Sequence, residues 1–148
     1  TYGPNDNFDL LDSHVIPALI RKFHSAKVVG KPVVSIWGTG SVSREFIYSD
    51  DVADSCVFLM NNYNSPEIIN VGTAKAISIK ELAFCVKDIT GFKGEILFDS
   101  SRPDGMPRKI LDAEKINKLG WQAKTLLASG INETYKWYLD NIEAVEGG

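Results

Sequence analysis

Apolar residues recur along this chain in two rhythms, one of three to four residues and one of two. Helical spacing predicts helices over 13–26, 51–61, 78–90, 112–119 and 126–141. Alternation or short apolar runs predict strands over 33–37, 44–48, 68–72 and 95–99. Helices and strands that alternate in this way indicate a mixed α/β fold.

Residues with strong preferences at helix ends mark several of these boundaries. Polar residues that can cap a helix precede three of the helices: Asp12 or Ser13, Ser49 with Asp50 and Asp51 ahead of a start near Val52, and Ser78. Ser78 and Glu81 have the spacing of a capping box, and Gly91 suits the end of the same helix. Capping accounts for the adjacent carboxylates of Asp50 and Asp51 without a catalytic role.

The segment between the first two predicted strands carries the strongest hint of ligand binding. Gly38 and Gly40 predict a tight turn, with Trp37 before it and Arg44 after it. An aromatic ring and a guanidinium around one glycine-rich turn suit a ligand with a flat ring and phosphates. The alternatives are a core tryptophan and an ordinary strand-edge arginine.

Composition narrows the class of protein. The chain has a net charge of −3 and a pI of about 5.4, which argues against general nucleic-acid binding. No apolar run approaches the roughly 18 residues of a membrane helix. Cys56 and Cys85 lie at helical spacing among apolar residues and lack metal-site or disulfide spacing, so we expect small buried side chains in a reduced, cytoplasmic protein.

Two further features could carry chemistry. His14 lies at the start of the first helix, where the helix dipole favours a neutral imidazole that can exchange a proton near pH 7. The alternative is a surface or capping histidine, and His24 is expected to face solvent. Residues 100–109 form a charged loop stiffened by two prolines, which is either solvated or presents its charges to a ligand: Arg102, Asp104, Arg108 and Lys109.

Two motifs expected of a dinucleotide-dependent enzyme do not occur in this sequence. No Gly-x-Gly-x-x-Gly turn follows a strand, and no tyrosine is followed four residues later by lysine. The chain is therefore expected to be a substrate-binding half without its dinucleotide-binding half.

Several segments resemble the GDP-L-fucose synthase family of the extended short-chain dehydrogenases. They are the run from Trp37 to Ala53, Asn5 to Phe8 with Ser13 to Leu19, Arg102 to Lys109, and Leu119-Gly120-Trp121. The resemblance covers residues 1–141. It implies a connection from the nucleotide-binding region over 1–12, a substrate-binding domain over 13–141 and a C-terminal tail over 142–148, with the Rossmann part missing.

The resemblance also implies an activity and its residues. The family epimerises GDP-4-keto-6-deoxy-D-mannose at C3 and C5 and reduces it at C4 with NADPH, as a homodimer. His14 matches the acid/base position, and the substrate-contact positions match Lys22, Trp37, Arg44, Asp104 and Lys109. NADP(H) would be bound mainly by the missing part, with contributions from Tyr2, Gly3 and His14, and no metal is implied. Lys22 stands where some members have arginine and would lose bidentate phosphate binding.

Two alternatives stay open. Another NAD(P)-dependent nucleotide-sugar epimerase or dehydratase would share the segment from Trp37 to Ala53 without needing His14. A non-catalytic nucleotide-sugar-binding module would fit a chain that lacks the dinucleotide motifs.

Overall fold

The structure, a computed structural model, describes residues 1–146. Its helices are α1 Val15–Val28, α2 Ser49–Asn62, α3 Ile79–Thr90, α4 Glu114–Lys118, α5 Leu127–Asp140 and α6 Ile142–Glu146. Its strands are β1 Val33–Trp37, β2 Ser43–Glu45, β3 Ala76–Ser78, β4 Glu95–Asp99 and β5 Arg108–Lys109. The predicted mixed α/β class is confirmed. Of the predicted tail, residues 142–146 form α6 and residues 147–148 lie outside the described part.

The strands form two small sheets, and their pairing brings the loops of a binding site together. β1 and β4 pair in parallel, with Trp37 opposite Asp99 at their carboxyl ends. β2 is the middle strand of the second sheet, antiparallel to β3 and parallel to β5. The loops that leave Trp37 and Asp99 therefore start side by side and run towards the second sheet.

Two apolar clusters hold these elements. The larger cluster joins α1, β1, α3 and α5 around fully buried side chains that include Ile20, Phe23, Leu82, Ile131 and Tyr138. The smaller cluster lies beneath α2 and contains Ile47, Ala113, Ile116 and Trp121. Within residues 1–146, no helix combines the length and the apolar character needed to cross a bilayer.

The predicted helix ends are right for α3 and wrong for α1 and α2. The Ser78–Glu81 capping box forms, and Gly91 ends α3 with φ 72°. α1 is preceded by His14 instead of a capping Asp12 or Ser13, because Asp9 organises the turn by accepting hydrogen bonds from the amides of Leu11 and Asp12.

α2 begins at Ser49, earlier than predicted, without a side-chain cap. Asp51 lies inside the first turn, is buried, and accepts hydrogen bonds from the backbone amides of Lys124 and Thr125 at 3.2 and 3.0 Å. The carboxylate thus connects α2 to the segment before α5 instead of capping its own helix.

Two strand predictions also need correction. β2 ends at Glu45, and within residues 1–146 the rest of the predicted strand pairs only through a bridge between Tyr48 and Tyr2. Residues 68–72 are not a strand. This segment forms hydrogen bonds outside any strand ladder: the side-chain amide of Asn70 donates to the backbone carbonyl of Asp112 at 3.1 Å.

Three side-chain predictions are wrong. Cys56 is exposed and Cys85 is half-buried, since their helices bury neighbouring faces. His24 does not simply face solvent: it is half-buried, with Nδ1 3.0 Å from the Tyr135 hydroxyl and its ring edge-on to Tyr138. Burial raises the pKa of the Cys85 thiol, so this cysteine stays protonated at neutral pH.

Candidate functional site

The carboxyl ends of β1 and β4 create the most distinctive surface of the molecule. Trp37 ends β1 with 68% of its surface exposed, which is unusual for so large a ring. Gly38 follows at φ 83° and donates its amide to the Asp99 carbonyl at 2.9 Å. A residue with a Cβ would be strained at that φ. The turn therefore holds the indole at the surface beside the loop that follows β4.

Two cations lie over the Trp37 ring. Lys22 Nζ, from α1, is 5.6 Å from the ring centroid, and Arg102 Cζ, from the loop after β4, is 5.2 Å away. Each distance is within the range of a cation–π attraction. The ring thus gathers positive charge from two separate segments instead of being left as a bare stacking surface.

The loop over residues 100–107 is tied to the turn after β1 and to β2. Asp104 accepts a 2.9 Å hydrogen bond from the Thr39 amide and a 2.6 Å bond from the Thr39 hydroxyl, and these bonds hold the pKa of its carboxyl below the usual range. Arg44 Nη1 donates to the Met106 carbonyl at 2.6 Å. Trp37, Asp104 and Arg44 are therefore parts of one connected surface.

Lys109 completes this surface. It is exposed in β5, directly opposite Arg44 in the parallel register. Paired strands lie about 4.8 Å apart, so the two cationic residues start from neighbouring backbone positions. Adjacent like charges without a carboxylate between them suit an anionic ligand.

His14 lies apart from this cluster. It is the exposed residue that precedes α1, and within residues 1–146 its imidazole forms no hydrogen bond. His14 precedes Lys22 by eight residues, which corresponds to about 12 Å along a helix axis. The structure thus places His14, the predicted proton-transfer residue, just before α1, and Lys22, the predicted phosphate-binding residue, in the middle of that helix.

Tyr2 and Gly3, predicted to contact the cofactor, are both buried. The Tyr2 hydroxyl donates to the Leu127 carbonyl at 3.3 Å, and burial raises the pKa of this phenol, so Tyr2 stays neutral. A side chain at Gly3 would collide with Ser49. These residues can offer a cofactor a packed edge but no free ionised group.

A cavity of about 470 Å³ lies elsewhere. It opens between the β2–β3 pair and the segment before α5, and it is lined by residues that include Phe46, Thr73, Ile77, Gln122 and Leu127. No predicted site residue lines it. The candidate site is instead the open surface around Trp37, and among residues 1–146 no cluster of His, Cys, Asp or Glu is suited to a metal ion.

Sequence reasoning missed Thr39, which fixes Asp104 through both its amide and its hydroxyl. The two residues are 65 positions apart, and only the pairing of β1 with β4 brings them together. A threonine between two turn glycines reads as turn chemistry, so the sequence contains no signal for this contact.

Comparison with known proteins gives a consistent relationship. Residues 1–72 match the NAD dependent epimerase/dehydratase family. The chain is 52% identical over 141 residues to a probable GDP-L-fucose synthase 1 of Oryza sativa subsp. japonica, covering 95% of this chain and 43% of the relative. It is 50% identical to GDP-L-fucose synthase 1 of Arabidopsis thaliana, with coverage of 95% and 44%.

A solved structure agrees. The crystal structure of a GDP-L-fucose synthetase from Naegleria fowleri bound to NADP superposes with a TM-score of 0.90 at 34% identity, covering 96% of this chain and 45% of that one. The chain is thus similar to proteins named GDP-L-fucose synthase over nearly its whole length. It spans less than half the length of the curated relatives that it matches and corresponds to their C-terminal part.

Proposed function

We propose that this chain is the substrate-binding part of a GDP-L-fucose synthase. The complete enzyme would epimerise GDP-4-keto-6-deoxy-D-mannose at C3 and C5 and reduce it at C4. The observation that carries the proposal is the cationic surface around Trp37, displayed by a chain of net charge −3. The similarity to proteins named GDP-L-fucose synthase supports the choice of sugar nucleotide.

The diphosphate of the substrate would bind at this surface. Arg44 and Lys109 lie side by side, and Lys22 and Arg102 share the Trp37 ring. Arg44 already donates to the Met106 carbonyl, so it positions the loop as well as offering charge. Asp104, bonded to Thr39, would accept a hydrogen bond from a sugar or base hydroxyl or amine and would disfavour a misplaced phosphate.

His14 would act as an acid/base group at C3 and C5 of the keto sugar. The 4-keto group acidifies the protons at C3 and C5, so a base can remove either one to give an enolate. A second acid/base group, outside this chain, would return a proton on the other face and invert the centre, with His14 as one member of the pair. An exposed imidazole without a hydrogen-bond partner within residues 1–146 is available for such a proton transfer. The axial distance of about 12 Å from Lys22 suits a substrate with its diphosphate at one end and its hexose at the other.

NADPH, held mainly by residues outside this chain, supplies the hydride for reduction at C4 when bound. Tyr2 and Gly3 fit a supporting edge of that site, because both are buried and the Tyr2 phenol is neutral. The relative of known structure with NADP bound supports the choice of cofactor.

We further propose that the complete enzyme is a cytoplasmic homodimer. The free thiols of Cys56 and Cys85 support a reducing compartment. Molar mass by light scattering would test the dimer.

The test of the proposed function is His14→Gln in the complete enzyme. Solvent deuterium incorporation at C3 and C5 of the keto sugar, followed by mass spectrometry, should fall by about 10²–10⁴, the usual cost of a lost acid/base group. Binding of the GDP-sugar and thermal stability should change little, since His14 is exposed and has no hydrogen-bond partner within residues 1–146.

His24→Gln is the matched control. It removes the ring packed against Tyr135 and Tyr138, so it should lower stability and leave deuterium exchange at the parent rate. Exchange at the parent rate in His14→Gln would remove His14 from the mechanism. Reduction at C4 with no exchange at C3 or C5 in the parent enzyme would point to another nucleotide-sugar enzyme, and binding without turnover would point to a binding module.

A further inference from the structure

Glu45 lies at the junction of three segments of the second sheet. It is the last residue of β2, next to Arg44, and is half-buried. Its Oε1 accepts hydrogen bonds from the Thr73 and Ala74 amides at 2.5 and 2.7 Å and from the Thr73 hydroxyl at 3.2 Å. Its Oε2 accepts one from the Leu111 amide at 2.7 Å. No lysine or arginine pairs with it within residues 1–146, so three backbone amides and one hydroxyl balance this carboxylate.

The turn that binds Oε1 is built around the carboxylate. Ala74 adopts φ 56°, a left-handed conformation that is uncommon for a residue with a Cβ. A Cβ at Gly72 would lie 2.5 Å from Glu45 Oε1. Successive amides that point at one anion form a nest, and here the anion is a side chain of the same chain. The strained turn therefore depends on Glu45.

Oε2 of Glu45 helps to hold β5 against β2. The pairing of β5 with β2 covers only two positions, Ser43 with Arg108 and Arg44 with Lys109. Both residues of β5 are exposed, so packing does little to hold the strand. The bond from Leu111 to Glu45 comes two residues after Lys109 and closes the end of this short ladder.

We propose that Glu45 is a positioning residue of the substrate site: its carboxylate locks β5 onto β2 and so holds Lys109 beside Arg44. This inference rests on the proposed function, because it assigns a consequence to Lys109 as a contact of the GDP-sugar. Glu45 itself touches no substrate; it acts through the backbone that carries Lys109.

Glu45→Gln separates the two oxygens. The amide oxygen of glutamine should stay with the three donors of Thr73 and Ala74, which leaves its NH₂ facing the Leu111 amide, donor against donor. The substitution thus releases β5 while keeping the turn. A second variant, Leu111→Pro, removes the same bond from the other side, because proline lacks the N–H.

The experiment is a double-mutant cycle in the complete enzyme, read as KM for the GDP-sugar. Lys109→Ala should raise this KM on the order of tenfold, as expected for a lost charged hydrogen bond to phosphate. Glu45→Gln and Leu111→Pro should each raise it roughly three- to tenfold, and Glu45→Gln should add less than about twofold in the Lys109→Ala background. KM for NADPH should not move. Amide hydrogen exchange should quicken over 107–111 and stay unchanged in α5.

Glu133→Gln is the control, since Glu133 is an exposed residue of α5 that pairs only with Lys136 among the described residues. It should leave both KM values at the parent level. An unchanged GDP-sugar KM in Glu45→Gln, or fully additive effects with Lys109→Ala, would overturn the role of Glu45 while leaving the proposed function intact. If Lys109→Ala itself leaves this KM unchanged, the substrate role of Lys109 fails, and with it any reason to position this side chain.

Discussion

Asp51 should be one of the most stabilising charged residues of this chain, although it touches no part of the candidate site. Its side chain is 6% exposed and accepts the backbone amides of Lys124 and Thr125. These bonds hold the segment before α5 against the first turn of α2. Replacing Asp51 leaves both amides without their acceptor at a part-buried junction.

The magnitude follows from the two bonds. A hydrogen bond to a charged group contributes about 1.5–3 kcal/mol, and loss of one partner strands the other. Because the bonds share one carboxylate and the loop can relax, Asp51→Ala should cost about 2–4 kcal/mol. Asp51→Asn keeps one acceptor oxygen and should cost about half as much. With a urea m-value of roughly 2 kcal/mol per molar, Asp51→Ala should lower the urea midpoint by about 1–2 M.

Asp50→Asn is the matched control for this experiment. It removes the same charge from the same helical turn, but Asp50 is exposed, and within residues 1–146 its side chain accepts a hydrogen bond only from the Ser49 hydroxyl, at 3.3 Å. Its effect should stay within the roughly 0.3–1 kcal/mol of a helix-dipole contribution.

Urea unfolding would be followed by tryptophan fluorescence, since buried Trp121 donates its indole N–H to Asp54 of α2 at 2.8 Å and reports on the same junction. Equal midpoints for Asp51→Asn and Asp50→Asn would refute the reasoning. That result would mean that Asp51 acts only through its charge at the start of α2.

Two further predictions concern α3 and the loop over residues 100–107. Ser78→Ala removes the hydroxyl that accepts the Glu81 amide at 3.1 Å, and the urea midpoint should report a loss of about 1 kcal/mol, with no loss in Ser100→Ala, an exposed residue outside any helix. The hydrogen bonds from Thr39 lower the pKa of Asp104, so they stabilise the loop when the pH lies above the ordinary carboxyl pKa of about 3.9. This stabilisation is lost as the pH falls through the lowered pKa of Asp104. Thr39→Val should move the NMR titration midpoint of the Asp104 carboxyl upwards, and an unmoved midpoint would show that the Thr39 hydroxyl does not perturb it.

The parts of the fold that the sequence predicts well depend on neighbours within one helical turn or one strand. The Ser78–Glu81 capping box, the Gly91 helix end, β1 and β4 all belong to this class, and all are confirmed. The predicted strand over 68–72 fails because a ladder needs a partner backbone. Apolar alternation shows that a segment can be extended, but it does not show whether another strand lies beside it.

The failures at polar residues share a physical cause. Asp51 reads as a cap, yet it bonds amides more than 70 positions away. Glu45 has no distinguishing signal within the predicted strand over 44–48, yet it bonds amides 28 to 66 positions away. A carboxylate carries the same local signal in both situations. Similarity of motifs, in contrast, selected Trp37, Arg44, Asp104 and Lys109 without any knowledge of distance, and the structure places all four on one surface. Their roles stay predictions.

The distribution of partners explains how an acidic chain can present a cationic site. Glu45, Asp51 and Asp104 each direct their carboxylates to backbone amides, so much of the negative charge near the sheets is used in holding loops. Lys22, Arg102 and Lys109 form no salt bridge within residues 1–146, although the charge of Arg102 helps to lower the pKa of Asp99, and Lys22 and Arg102 lie over the Trp37 ring. A backbone amide balances a carboxylate without bringing a cation to it, so these three carboxylates do not neutralise the lysines and arginines of the site. The loops that order the site therefore also give it its charge.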